Sequence, residues 1–63
     1  MSAEDSLARA EQLLERLEGA RATLEATDDP DAAIEVLQEL AALAKEIEAE
    51  LQRARGEADA AGA

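Results

Sequence analysis

The chain has 63 residues, a formal charge of −10 and no His, Cys, Phe, Trp or Tyr. So short a chain is at most one small domain that buries only about 60% of its unfolded surface; lacking disulfides and the usual zinc ligands, it is left with oligomerisation or a host partner to complete its core. Direct nucleic-acid binding draws on clustered Lys and Arg, and here six basic residues are scattered among sixteen acids.

The first helix is predicted over about 3–26. Ser2 or Asp5 is its cap, and Ser2-x-x-Asp5 has capping-box spacing with Asp in the place usually held by Glu or Gln. Leu7, Ala10, Leu14, Leu17 and Leu24 recur in three- and four-residue steps that mark one helix face, and Leu13 and Ala20 widen it on one flank. Arg21 interrupts this seam, either lying its stem along apolar surface or pairing with an acid of a partner helix. Gly19 falls opposite the stripe, so the helix is expected to run through it at a cost of about 1 kcal/mol relative to Ala.

A turn follows at 27–29. Thr27, Asp28 and Asp29 tie up backbone donors, Asp29 is the expected N-cap of the next helix, and Pro30 suits its first position. Asp31 adds favourable charge at the positive end of the helix dipole. A link this short makes the two helices antiparallel neighbours.

The second helix is predicted over about 30–55. Ala33, Leu37, Leu40, Ala44, Ile47, Leu51 and Ala54 alternate in four- and three-residue steps, a heptad-like seam that Ile34, Val36, Ala41 and Leu43 broaden. One partner helix covers only part of so wide a stripe, which leaves the remainder for another chain. Residues 56–63 lack large apolar side chains and are expected to form a flexible tail. Apolar residues reach 48%, but seventeen of them are Ala. The expected fold is therefore all-α, an antiparallel two-helix hairpin over 1–55 with a thin aliphatic core, completing a helical bundle or coiled coil by oligomerisation.

Other functional classes find little footing in these residues. No apolar run approaches the roughly 20 residues of a membrane span, and the first residues have neither the basic nor the apolar region of a signal peptide, so a cytoplasmic protein is expected. Glu11, Glu15 and Glu18, or Glu35 with Glu39, or Glu46 with Glu50, share helix faces as carboxylates of a di-metal bundle would. Such bundles add Glu-x-x-His motifs, however, and a solvated acidic face accounts for these glutamates better. Asp28, Asp29 and Asp31 lack the spacing and glycine of a calcium loop, and capping accounts for them. Ser2, Ser6, Thr23, Thr27 and Lys45 are the candidate nucleophiles, with no His to activate them. Mimicry of DNA by the acidic face is permitted by the charge, but such a surface is also the ordinary means of keeping a small helical protein in solution.

One ordered series is more specific. Leu24-Glu25, a short acidic turn with Pro, then Ala33-Ile34, Val36-Leu37, Ala42-Leu43-Ala44, Glu48-Ala49, Leu51 and Ala54 resemble the small subunit of exodeoxyribonuclease VII. Members of that family typically read Leu-Glu, a turn, then Glu-Ala-Leu, a large apolar pair, Ala-Leu-Ala and Glu-x-x-Leu-x-x-Ala. The resemblance covers residues 24–54, about half the chain. It departs at Leu37, where the family usually has an aromatic residue, at Leu40, usually Gly, and at Ile47, often Cys; the family's turn usually contains Gly and one more residue. In the first helix the match is one of pattern, with Arg21 in an apolar position.

The resemblance implies a non-catalytic accessory subunit of a single-stranded DNA exonuclease. Several small-subunit hairpins of that family pack on the extended helices of a large subunit, which holds the nuclease centre and the DNA contacts. The partner-facing residues expected here are Leu37, Leu40, Leu43, Ala44, Ile47 and Leu51 of the second helix, with Leu14 and Leu17 of the first. No catalytic, cofactor or metal residues are assigned. In isolation a homo-oligomer is expected, most simply a dimeric four-helix bundle. The alternative is a free-standing homo-oligomeric scaffold or adaptor with no nuclease role.

Overall fold

A computed structural model describes residues 2–62, and the side chains of residues 2–60. Two helices, α1 (Ala3–Ala26) and α2 (Pro30–Gly62), pack against each other as an antiparallel hairpin, and there is no strand among the described residues. At 1.5 Å per residue the longer helix extends about 50 Å, which accounts for molecular dimensions of 51 × 14 × 13 Å. The radius of gyration is 14.8 Å, against about 11 Å for a globule of this length. The protein is thus a rod with one interior seam and long exposed flanks.

Local chemistry sets the helix ends. Ser2 is the N-cap of α1: its hydroxyl accepts from the Asp5 amide at 3.2 Å, and the Asp5 carboxylate accepts from the Ser2 amide at 3.4 Å, closing a capping box. At the other end the Thr27 amide donates to the Leu24 carbonyl at 3.2 Å and its hydroxyl donates to the Thr23 carbonyl. Asp29 then caps α2, its carboxylate accepting from the Ala32 amide at 3.1 Å, and Pro30 is the first helical residue. The chain stays helical through Gly19, where an added Cβ meets nothing within 4 Å.

The C-terminal part differs from expectation. Rather than ending near Arg55 before a flexible tail, α2 continues to Gly62; Ala63 lies outside the described residues. Ala and Glu are strong helix formers, and Ala54 and Glu57 carry the seam past Arg55, with Ala54 buried. Helix propensity and packing together outweigh the loss of large apolar side chains.

The seam itself runs through Ala3, Ser6, Ala10, Leu13, Leu17, Ala20 and Leu24 of α1, and through Ala33, Val36, Leu40, Leu43, Ile47, Glu50, Ala54 and Glu57 of α2, all buried or half-buried. Both series alternate three- and four-residue steps without a break, as knobs-into-holes packing requires. The expected seam of Leu7, Ala10, Leu14, Leu17 and Leu24 is therefore rotated by one row. Leu13 and Ala20, expected on its flank, lie inside, while Leu7 and Leu14 lie outside. Arg21 moves out of the seam with Leu7 and Leu14 and is exposed. Its guanidinium donates to Glu18 at 3.0 Å and Glu25 at 2.6 Å on its own helix. These bonds, that to Glu18 foremost, raise the Arg21 pKa above its usual value.

Candidate functional site

The rotation of the seam gives the hairpin two unlike sides. In an antiparallel pair, the residues that follow the buried position before each four-residue step face one side from both helices, and those that precede the alternate buried position face the other. On the first side stand Leu7, Leu14 and Arg21 of α1 with Leu37, Ala44 and Leu51 of α2. On the second stand Arg9, Arg16 and Thr23 of α1 with Glu39, Glu46 and Arg53 of α2.

The first side is apolar. Leu7, Leu14, Leu37 and Leu51, with Ile34 on the outer flank of α2, remain between 47% and 54% exposed. Leu14 and Ala44 fall at matching heights, as do Leu7 and Leu51, and the apolar row is interrupted by the small Ala44 and by Arg21. A shallow groove of about 330 Å³ along α2 is lined by Ala44, Ile47, Leu51 and the aliphatic stems of neighbouring polar residues. Scattered exposed leucines are ordinary, and here four of them lie along one side of the rod.

Of the eight residues expected to face a partner, Leu14, Leu37, Ala44 and Leu51 stand exposed on this side. Leu17, Leu40 and Ile47 are half-buried in the seam, where they hold α1 to α2. Leu43 is only 3% exposed and lies inside the hairpin. Leu7 and Ile34 belong to the apolar side although they are absent from the expected set. The signal for Leu7 was the seven-residue spacing of Leu7, Leu14 and Arg21, a complete heptad row that ends in a charge and so belongs outside a seam.

The second side is polar. A groove of about 400 Å³ is lined by Arg9, Gln12, Arg16, Glu46, Glu50 and Arg53 together with Leu13 and Ala49. Glu50 projects into it from the seam, bonded to Arg53 at 2.5 Å and lying 3.8 Å from Arg9 across the helix pair. That contact links the two helices. Three of the chain's six basic residues gather here, and Glu46 and Glu50 share the groove with them.

Each candidate nucleophile has a structural placement. Ser2 caps α1, and the hydroxyls of Thr23 and Thr27 donate to the carbonyls of Gly19 and Thr23. Ser6 is fully buried in the seam with its hydroxyl unpartnered, and Lys45 is exposed on the outer surface of α2. Among the described residues there is no group of three or more acidic side chains arranged to hold a metal ion, and no helix long and apolar enough to cross a membrane. What the rod presents is an apolar side, a charge-paired side and acidic outer surfaces.

No protein-family model matches the chain, and comparison with curated proteins and with solved structures finds no match.

Proposed function

We propose that the chain is a non-catalytic helix-docking subunit whose apolar side packs on helices of a larger protein. The host suggested by the resemblance of residues 24–54 is the large subunit of an exodeoxyribonuclease VII-like, single-stranded DNA exonuclease. The observation that carries the reading is the row of half-exposed Leu7, Leu14, Leu37 and Leu51 along one side of a rod that otherwise displays charge. Burying these side chains gives a partner roughly 1–1.5 kcal/mol for each, about half of the full transfer free energy of Leu, and a helical partner with an aliphatic ridge offers the matching shape. The chemistry of nuclease and DNA contacts then belongs to the host, as the scarcity of basic residues favours.

Co-expression with an exodeoxyribonuclease VII large subunit tests this. Stable co-purification at micromolar concentration is expected, with a gain of exonuclease activity on single-stranded DNA and loss of both on Leu37→Glu. Absence of association with the wild-type hairpin refutes the nuclease assignment; persistent self-association in that case points to the free-standing scaffold instead.

A further inference from the structure

We infer that the hairpin opens in two stages: the section far from the turn, residues 3–10 of α1 with 50–57 of α2, separates while the section next to the turn stays packed. The device is built into the seam itself and holds whatever protein the apolar side meets.

The seam changes composition along its length. Next to the turn, Leu13, Leu17 and Leu24 of α1 meet Val36, Leu40 and Leu43 of α2, all buried or half-buried. Counted outward from the turn, Ile47 stands opposite Ala10 and is the last large apolar side chain on the seam. Beyond it lie Ala3 and Ser6 of α1 with Glu50, Ala54 and Glu57 of α2. Alanine buries far less apolar area than leucine, so the far section gains little from the hydrophobic effect that holds the turn section together. The short turn also keeps the near arms close, which lowers the entropy lost in packing them.

The unmatched polar atoms gather in the same place. Among the described residues, the buried side-chain oxygens without a hydrogen-bond partner are Ser6 Oγ, Glu50 Oε2 and Glu57 Oε2, and all three belong to the far section. Separation of the arms returns each of them to water, which relieves the penalty of burying it. The ion pair between the helices, Arg9 with Glu50 at 3.8 Å, lies here too, but Arg9 is about half exposed and solvent screens the attraction. A segment with so few buried apolar contacts opens at a lower free energy than the whole fold. Leu7 and Leu51 belong to the far section and Leu14 and Leu37 to the turn section, so opening divides the apolar row. The four leucines share one side only while the hairpin is closed.

Amide hydrogen exchange of the full chain, followed residue by residue by nuclear magnetic resonance, tests this. A detached arm so short does not hold its helix alone, so separation exposes its amides. Protection at residues 7–10 and 50–57 is expected to share one value, at least about tenfold below that at 17–24 and 36–43, with a step near Ala10 and Ile47. Leu24→Ala thins the turn section and is expected to lower protection there by about tenfold or more while leaving the far section unchanged, because the far arms separate without it. Glu50→Leu removes one unpartnered oxygen and is expected to raise protection in the far section by about tenfold or more. Protection that climbs steadily inward from the chain ends, without a step, is ordinary fraying and overturns the proposal. Equal protection throughout, an equal fall in both sections of Leu24→Ala, or an unchanged far section in Glu50→Leu overturns it as well.

Discussion

Replacing Glu50 with Leu is expected to stabilise the hairpin. Glu50 is 8% exposed, on the seam between Ile47 and Ala54. One carboxylate oxygen is bonded to Arg53 and lies near Arg9, and the other is buried without a partner. An unsatisfied buried acceptor costs about 1–3 kcal/mol, and a buried Leu contributes roughly 1.5–3 kcal/mol. The substitution forfeits two ion pairs whose arginine side chains are about half exposed, worth roughly 0–1 kcal/mol each. The balance is a gain of about 0.5–6 kcal/mol, which brackets the roughly 1–4 kcal/mol of other replacements of buried ion pairs by apolar groups. For a domain of this size each kcal/mol raises the melting temperature by roughly 4–8 °C. Thermal and urea unfolding followed by helical circular dichroism measure the change, at one protein concentration because association itself raises apparent stability. Arg53→Met provides the opposite arm: it leaves Glu50 in the seam with Arg9 at 3.8 Å as its remaining cation and is expected to destabilise by about 1–3 kcal/mol. Destabilisation by Glu50→Leu of more than about 1 kcal/mol would refute the reasoning, since the ion pairs would then outweigh both the orphaned oxygen and the lost burial.

Gly19→Ala is expected to raise stability by about 1 kcal/mol, because the added methyl meets nothing within 4 Å; chemical denaturation checks it. Asp29→Ala removes the acceptor of the Ala32 amide and is expected to lower stability by about 1 kcal/mol in the same assay. Leu43→Ala empties a site that is 3% exposed and is expected to cost about 2–5 kcal/mol. Leu37→Ala, on the half-exposed apolar side, is expected to leave the helicity of the monomer nearly unchanged, and a comparison of the two variants by circular dichroism at low concentration separates seam from docking surface.

The hairpin is written locally in the chain. Ser2 and Asp5, Thr27, Asp29 and Pro30 each do their work within four residues, so capping and turn chemistry are readable without knowledge of the partner helix. The far end of α2 is less legible for the converse reason. Gly56 and the small residues beyond it resemble a tail by composition, yet Ala54 and Glu57 are still on the seam, and that continuity depends on α1 lying alongside.

Which face turns inward is the harder question, because three adjacent rows of each helix are largely apolar. The leucines favour a seam through Leu7, Leu14, Leu37 and Leu51, the row of largest side chains. That seam also takes in Arg21, whose charge would lie between the helices. Rotation by one row moves Arg21 into water, where Glu18 and Glu25 flank it, and replaces it with Ala20, which lets the backbones approach closely. The same rotation carries Glu50 inward on α2, but close enough to Arg9 and Arg53 for one of its oxygens to be matched. The hairpin therefore keeps a narrow, partly polar seam for itself and leaves its largest aliphatic row outside. Such a division sacrifices stability in the isolated monomer while retaining the row most useful for binding another helix pair; the exposed leucines and the imperfect seam are two consequences of one choice of register.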